Sequence, residues 1–288
     1  MKASGGVAVL LLLLAGCTAG PPYPEGTIDK LFPQPPRPEE HYYSIDNHRI
    51  HYVQMPGVAQ ARILFIHGSP GDWQAWAHYL ADAELQRHAT LIAVDRPGFG
   101  ASDPGKVVPD LREQARLLEP LLRVDGKVVP TLLVGHSLGG PIAGELAMDY
   151  PGEVRGIVLV APSIDPATEQ PRWYNNLMTW RIVRAIAPAE FAVSNREIMP
   201  LVAELRDMAP RWRSLNIPVT VVQGEKDELV DPRTADFAQA ALPAGGQVVR
   251  VPDMGHFVLW QKPEIVVNAI IEVLNQSPKV AVQTGATP

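Results

Sequence analysis

One serine in this chain stands where its hydroxyl could act as a nucleophile. Ser137 lies between Gly135 and Gly139, after the apolar run 132–134 and before a run of helix-forming residues at 142–148. This pattern predicts a strand that turns abruptly into a helix with the serine at the apex, because so sharp a turn leaves no room for side chains on its flanks. The turn also leaves the first N–H groups of the helix unpaired, so they can face a developing negative charge.

A serine attacks a carbonyl carbon well only when a base accepts its proton and a third group orients that base. His256 is the candidate base, since it follows Gly255 in the loop between the last predicted strand and the last predicted helix. The candidates for the orienting acid follow two earlier predicted strands: Asp227, Glu225 and Asp231 after one, and Asp165 after the other.

The other histidines have predicted structural roles. His136 is expected to point away from the site and to pack within the turn, and His67 is expected to brace its own loop by hydrogen bonds. Asp95 is expected to tie down the loop that follows its strand. The remaining histidines are predicted to lie on the surface: His41, His48, His51, His78 and His88.

Charge and cysteine content exclude several classes of function. The net charge is −6 and no basic stripe is available to meet phosphates, so nucleic acid is not an expected partner. The chain has a single cysteine, no His-Glu-X-X-His sequence and no cluster of ligands at zinc spacing, so no metal site is predicted. Serine chemistry of the kind outlined above uses no cofactor, and none is predicted.

Strands alternate with helices along most of the chain, which predicts a parallel sheet with right-handed crossovers. A hairpin around 46–48 precedes them, and a strand at 247–251 and a helix at 262–274 end the pattern. Between 163 and 215 apolar residues recur at helical spacing without a strand, which predicts a helical cap inserted after the sixth strand. The predicted buried strands are the apolar runs 62–66, 91–94, 131–134, 156–160 and 218–222.

Five motifs, in their order along the chain, resemble those of the α/β-hydrolase family: HGSPG at 67–71, DRPGFGAS at 95–102, GHSLGG at 135–140, GEKDELVDP at 224–232 and GH at 255–256. The resemblance covers roughly residues 42–274. It implies the α/β-hydrolase fold, a doubly wound, mostly parallel sheet. It also implies catalytic residues in the order serine, acid, histidine.

The resemblance also assigns roles to particular residues. Asp227 stands at the family's position for the acid, although some relatives carry the acid where Asp165 stands. The oxyanion hole is implied to use the backbone N–H groups of Ser69 and Leu138. The serine at 137 separates this chain from haloalkane dehalogenases and epoxide hydrolases of the fold, which use aspartate. It also separates the chain from dienelactone-type hydrolases, which use cysteine.

The implied activity is hydrolysis of a small or medium acyl ester through an acyl-enzyme on Ser137. A carbon–carbon bond hydrolase of the meta-cleavage type, a lactonase or a lipase would use the same residues, and a non-catalytic envelope binding protein is the alternative from another class. Trp73, Trp173 and Trp180 are candidate walls of the substrate pocket, although packing in the core explains them equally well. The sequence predicts no particular oligomeric state.

The N-terminus resembles the signal peptide of a bacterial lipoprotein. One lysine, the apolar run 7–14 and the sequence LAGC at 14–17 form a secretory signal that ends in a lipobox-like motif. Cleavage would leave Cys17 as the lipidated N-terminus and anchor the protein at a membrane surface. Thr18 in place of an aspartate is typical of lipoproteins of the outer membrane, so a position there, facing the periplasm, is predicted. The proline-rich stretch 18–40 predicts an extended spacer.

These predictions divide the chain into consecutive parts: signal peptide 1–16, lipidated cysteine and linker 17–41, first part of the hydrolase core 42–162, helical cap 163–215, second part of the core 216–275 and disordered tail 276–288. The cap is thus expected to interrupt the core. Ser137 lies before it, and Asp227 and His256 lie after it.

Overall fold

The computed structural model describes residues 26–57, 61–126, 128–171, 175 and 188–276. Within these ranges the strands are β1 Glu39–Ile45, β2 His48–Met55, β3 Arg62–Ile66, β4 Thr90–Val94, β5 Thr131–His136, β6 Val154–Val160, β7 Val219–Gly224 and β8 Gln247–Val251. They form one sheet in the order β1-β2-β4-β3-β5-β6-β7-β8. β2 pairs antiparallel with β1 and β4, and all other neighbours are parallel.

Helices connect most of the strands. The described α-helices are α1 Thr27–Leu31, α2 Ala77–Leu80, α3 Ala83–His88, α4 Leu111–Leu118, α5 Gly139–Asp149, α6 Ala189–Met208, α7 Thr234–Ala241, α8 Val258–Gln261 and α9 Pro263–Gln276. Segments of 3₁₀ helix are Trp73–Trp76, Glu119–Gly126 and Ala209–Ser214. Asp72, Asp82 and Asp110 each begin a helix by accepting a backbone N–H with the side chain. These caps satisfy donors that have no partner within the helix.

Side chains that alternate along the central strands divide the core into two layers. Leu64 and Ile66 of β3 lie in one layer with apolar residues of α4, α5 and α7. Ile63 and Phe65 lie in the other layer, with Trp73 and residues of α9. Because these strands are covered on both faces, their sequences are almost continuous apolar runs. That is why the sequence revealed them.

The described part of the predicted cap is α6 and the 3₁₀ segment after it. Leu201, Leu205 and Met208 on α6 belong to the same core layer as α4 and α5. A Cβ on Gly144 of α5 would lie 2.3 Å from Met208 Cε and 2.5 Å from the Trp212 ring. This end of the cap therefore packs tightly on the helix that follows Ser137.

The predicted α/β-hydrolase fold with its doubly wound sheet is confirmed, and the helical segment follows β6, the sixth strand. The predicted signal peptide, Cys17, the tail from 277 onward and the cap residues 172–174 and 176–187 lie outside the described residues. The predicted bounds of the parts of the chain stay predictions. In the ranges that the structure describes, no helix is both long and apolar enough to cross a membrane.

Two predictions about the first third of the chain were wrong. His51, predicted to lie on the surface, is fully buried on β2, and its Nδ1 lies 2.7 Å from Asp95 Oδ2. Ser102 Oγ also accepts the His51 N–H at 2.8 Å, so the loop after β4 lies against β2 and buries a residue that looked exposed. The extended spacer was expected to reach residue 40, but α1 lies within it and Phe32 is buried in the core layer of β3 and α9.

Candidate active site

The turn at Ser137 has an unusual backbone. Its φ is 53°, in the left-handed region that residues other than glycine seldom adopt. A Cβ on Gly135 would lie 2.4 Å from the carbonyl oxygen of Gly139, and a Cβ on Gly139 would lie 2.3 Å from that of Ile66. Both flanking positions therefore require glycine, and the predicted strand–turn–helix is confirmed. The Ser137 N–H donates to the carbonyl oxygen of Val160 at 3.0 Å, which fixes the turn to the neighbouring strand.

His256 and Asp227 meet where the loops after β7 and β8 come together. His256 Nδ1 and Asp227 Oδ2 are 2.9 Å apart, and both side chains are buried. Gly224 permits this approach, since a Cβ there would lie 2.4 Å from the carbonyl oxygen of Met254. An ionised carboxylate can only accept, so Nδ1 carries the proton and Nε2 keeps its lone pair. Among the described residues neither Nε2 nor the Ser137 hydroxyl makes a hydrogen bond.

The carboxylate of Asp227 is held by its own turn. Oδ1 accepts the backbone N–H groups of Leu229 and Val230 at 2.8 and 2.9 Å. Oδ2, the oxygen that faces His256, also accepts from Gln223 Nε2 at 3.2 Å. Three donors from within a few residues therefore set the orientation of the acid before His256 is considered.

The other candidate acids point elsewhere. Asp165 accepts the backbone N–H of the residue two positions later at 2.8 Å. Asp231 forms an ion pair with Arg233, and Glu225 is exposed. Asp227 is the candidate that the structure brings to His256.

The loop after β3 lies directly against the turn at Ser137. A Cβ on Gly68 would lie 3.0 Å from Ser137 Cβ, so glycine lets the two segments approach. The backbone N–H groups of Ser69 and Leu138 make no hydrogen bond among the described residues, although most buried backbone donors are paired. Two free donors beside the candidate nucleophile are what a developing oxyanion would require.

His67 braces this loop, as predicted. Its Nδ1 donates to the carbonyl oxygen of Gly68 at 2.7 Å, and its Nε2 accepts the backbone N–H of Arg96 at 2.9 Å. The second contact requires a lone pair on Nε2, which places the proton on Nδ1. Burial, and next the charge of Arg96, lower the pKa of His67 well below its ordinary value, so the ring stays neutral.

The predicted orientation of His136 was wrong. Its ring centroid is 4.7 Å from that of His256, and its Nε2 lies 3.3 Å from the backbone oxygen of His256. The alternation of side chains along β5 predicts the face of the sheet on which His136 lies. It does not show that the loop after β8 covers that face. Burial, and next the nearby His256, lower the pKa of His136 well below its ordinary value. The ring of His136 therefore stays neutral beside His256.

Sequence reasoning missed a buried ion pair beside this loop. Arg96 after β4 and Glu197 on α6 are both buried, with Arg96 Nη1 and Glu197 Oε1 2.8 Å apart. Glu197 also accepts the Ser69 hydroxyl at 2.7 Å and Gln114 Nε2 at 2.8 Å. Arg96 is part of the DRPGFGAS motif. No local pattern marks Glu197, because its partners are far away along the chain.

The pocket predictions are only partly within the described residues. Trp73 is fully buried in the core layer of β3 and α9, so packing in the core is the role observed for it. Trp173 and Trp180 lie outside the described part of the chain. In that described part, no group of three or more His, Cys, Asp or Glu side chains is placed to hold a metal ion.

The sequence model of the family described as "Alpha/beta hydrolase family" matches residues 63–269, which is more than half of the chain. The chain belongs to the alpha/beta hydrolase family. The matched range includes Ser137, Asp227 and His256, and the family expected from the motifs is confirmed.

Curated relatives of this alpha/beta hydrolase include a component of an acetoin cleaving system and a lipase. The dihydrolipoyllysine-residue acetyltransferase component of the acetoin cleaving system of Cupriavidus necator is 35% identical over 124 residues, 42% of this chain and 31% of that protein. Lipase 3 of Moraxella sp. is 26% identical over 240 residues, 71% of this chain and 74% of that protein. The chain thus spans about a third of the first relative and about three quarters of the second.

Solved structures share the fold. A mutant of the haloalkane dehalogenase DatA from Agrobacterium tumefaciens C58 has a TM-score of 0.66 and is 17% identical, over 83% of this chain and 97% of that one. At this identity the likeness shows the fold alone. Membership of the alpha/beta hydrolase family supports the prediction that the chain is a hydrolase.

Proposed function

We propose that this alpha/beta hydrolase cleaves a carboxylic ester through an acyl-enzyme on Ser137. The observation that carries the proposal is the 2.9 Å hydrogen bond between His256 Nδ1 and Asp227 Oδ2, at the same end of the parallel strands as the Ser137 turn. This bond leaves His256 Nε2 as the atom that can accept a proton from a hydroxyl.

In the first half-reaction, Ser137 Oγ attacks the ester carbonyl carbon and its proton passes to His256 Nε2. The carbonyl oxygen becomes an oxyanion that accepts from the backbone N–H groups of Ser69 and Leu138. One such donor typically contributes about 3 kcal/mol to the stability of the transition state. The carbon–oxygen bond to the leaving group then breaks, and His256 returns the proton so that an alcohol departs.

Water completes the cycle. His256 Nε2 takes a proton from water, and the resulting hydroxide oxygen attacks the acyl carbon. Collapse of the second oxyanion releases the carboxylic acid and returns the proton to Ser137. Through both half-reactions Asp227 keeps Nδ1 protonated and stabilises the imidazolium, while the neutral His136 adds no opposing charge.

The proposed substrate is a small or medium acyl ester. Serine at 137 favours acyl transfer, and the likeness to a protein named Lipase 3 over most of both chains supports an acyl ester. Lactones and carbon–carbon bonds next to a carbonyl group would meet the same three side chains, so the substrate class rests on the experiment below.

The test is hydrolysis of chromogenic esters from acetyl to palmitoyl by the wild-type protein and by Ser137→Ala. We expect kcat to fall by a factor of about 10⁴ to 10⁶, because the acyl-enzyme cannot form. Ser214→Ala, which changes an exposed serine on the 3₁₀ segment after α6, is the matched control and should keep wild-type activity. The optimum chain length separates an esterase from a lipase.

The proposal fails if Ser137→Ala keeps its turnover. It also fails if the wild-type protein turns over none of the esters and a fluorophosphonate does not label Ser137. That second result would favour a non-catalytic binding protein of the cell envelope. Labelling without ester turnover would place the substrate among lactones or carbon–carbon bonds and would refute the ester assignment.

We also propose that the chain is a lipoprotein anchored through Cys17 to the outer membrane and facing the periplasm. Its support is the lipobox-like sequence at 14–17 and Thr18 after it. Expression of the full chain in a bacterium, followed by separation of membranes, should place the protein in the outer-membrane fraction. Cys17→Ala should remove it from that fraction. Equal membrane association of both forms would refute the anchor.

A further inference from the structure

Arg96 joins the loop after β3 to the cap helix α6. Its side chain is fully buried, and Nε and Nη2 donate to the carbonyl oxygens of His67 and Gly68 at 3.0 and 2.9 Å. From the other side, Nη1 and Nη2 donate to the two carboxylate oxygens of Glu197 at 2.8 and 3.2 Å. One guanidinium thus connects two consecutive carbonyl groups of the loop to one carboxylate of the cap.

These contacts set the direction of the Ser69 N–H. The peptide that joins Gly68 to Ser69 is trans and planar, so its C=O and N–H point in opposite directions. The carbonyl oxygen of Gly68 is held by Arg96 Nη2 and by His67 Nδ1. The N–H of Ser69 must therefore point away from Arg96, and among the described residues it has no partner. Rotating this peptide would break two hydrogen bonds to charged or buried donors.

Glu197 holds the same loop at a second point. Its Oε2 accepts the Ser69 hydroxyl at 2.7 Å, and its Oε1 accepts from Gln114 Nε2 at 2.8 Å. Gln114 Oε1 in turn accepts from Arg96 Nη1 at 2.7 Å. Every polar atom of the Arg96, Gln114 and Glu197 side chains therefore has a partner, and a fully satisfied network of this kind is rigid.

We propose that Glu197 is a positioning residue: from the cap it holds Arg96 and the Ser69 hydroxyl, and so aims the Ser69 N–H at the oxyanion. The proposal rests on the proposed ester hydrolysis, since it concerns the oxyanion hole of that reaction. Glu197 does not touch the reacting atoms. It acts through Arg96, whose buried charge requires a buried carboxylate beside it.

A consequence is that the cap and the chemistry are coupled. α6 carries Glu197 at its middle and Leu201, Leu205 and Met208 toward its end, where they pack in the core. A cap that is not seated on the core therefore leaves Arg96 without its counter-charge and the loop without its second anchor. The oxyanion hole is then complete only when the cap is in place.

The test is Glu197→Gln, which keeps the size of the side chain but removes its charge. We expect kcat per active site, counted by fluorophosphonate labelling of Ser137, to fall about 10-fold to 100-fold, because a misplaced donor loses part of its effect. KM should stay within about twofold, since the oxyanion exists only in the transition state. The affinity for a trifluoromethyl ketone, which forms a tetrahedral adduct on serine, should fall by the same factor as kcat/KM.

Glu145→Gln is the matched control. Glu145 is a buried carboxylate on α5 that pairs with the partly exposed Arg211 of the segment after α6, so its change also removes one charge from an ion pair between the cap and the core. We expect it to lower thermal stability without changing kcat per active site. Equal loss of kcat in Glu145→Gln and Glu197→Gln would overturn the positioning role. Wild-type kcat in Glu197→Gln, or a loss confined to KM, would also overturn it.

A double variant covers the case in which the single change prevents folding. Arg96→Met with Glu197→Met leaves neither charge unpaired, and such replacements are often tolerated. Its kcat should fall at least as far as that of Glu197→Gln, because the carbonyl anchors are gone. Wild-type kcat in the double variant would overturn the proposal. Failure of both variants to fold would also overturn it, because the pair of Arg96 and Glu197 would then serve the stability of the fold. If the wild-type protein neither turns over esters nor labels at Ser137, the proposed function fails instead.

Discussion

Two buried carboxylates contact different parts of the candidate site, Asp227 at His256 and Glu197 at Ser69, and they are held in opposite ways. Asp227 takes its hydrogen bonds from Gln223, Leu229 and Val230, all within a few residues, before it meets His256. Glu197 takes its bonds from Ser69, Arg96 and Gln114, which belong to different loops and helices of the core.

The hydrogen bonds of Asp227 can form within the turn after β7 alone, whereas those of Glu197 require the cap to be packed on the core. The backbone N–H groups that orient Asp227 are present whenever that turn forms. The donors that hold Glu197 meet only when α6 packs on the core. A disturbance of the cap should therefore reach Glu197 and the loop at Ser69, and leave the bond between Asp227 and His256 in place.

The largest effect is expected from the locally held carboxylate. In Asp227→Asn, the amide would present an N–H₂ group to His256 Nδ1, so the ring would place its proton on Nε2 and could not accept one from Ser137. We expect kcat/KM for ester hydrolysis to fall about 10⁴-fold, the loss typical of this change in serine triads, with thermal stability little altered. Steady-state kinetics with the best ester of the series and a thermal unfolding scan are the measurements.

Asp231→Asn is the control for that variant, since Asp231 lies in the same loop but pairs with Arg233 near the surface. It should keep wild-type kinetics. Asp227→Asn should also slow the labelling of Ser137 by a fluorophosphonate, because the general base is lost. A smaller loss of kcat/KM in Asp227→Asn than in Glu197→Gln would contradict the expectation that the locally held carboxylate matters more for activity.

A smaller effect concerns a third carboxylate, that of the half-buried Asp72, whose hydrogen bonds do not come from an arginine or histidine. Asp72 accepts the backbone N–H and the side-chain amide of Gln74 at 2.7 and 3.3 Å. Burial, and next the charge of Asp95, raise the pKa of Asp72 to about 7. Between its ordinary pKa and about 7 the folded state binds the proton more tightly than the unfolded state. The contribution of Asp72 to the free energy of unfolding therefore falls as pH rises through this range.

Asp72→Asn keeps a capping oxygen and has no carboxylate to ionise. We expect its free energy of unfolding, relative to wild type, to be higher at pH 8 than at pH 5, as measured by urea denaturation at both values. Asp110→Asn, at the exposed start of α4, is the matched capping control and should show the same difference at both pH values. A difference for Asp72→Asn that is equal at the two pH values, or larger at pH 5, would contradict the expectation.

Much of the fold and of the candidate triad could be predicted because the relevant interactions are local. The turn at Ser137 needs glycine on both sides, and strands covered on both faces need apolar runs, so both leave direct marks in the sequence. The errors and omissions were non-local. His51 was buried by the loop after β4, more than forty residues away along the chain, and the ring of His136 was covered by a loop that starts more than a hundred residues later.

By itself, the sequence determined the parallel sheet, the turn at Ser137 and His256 as the candidate base, because short stretches with special backbone or burial requirements carry them. Among the candidate acids, the structure brings Asp227 to His256. The tertiary structure decided the neutral His136 beside His256 and the pair of Arg96 with Glu197. Such contacts are fixed by how separate elements pack, and a charged residue on a helix carries no mark of the partner that will bury it. Glu197 became part of the site only when α6 was placed on the core.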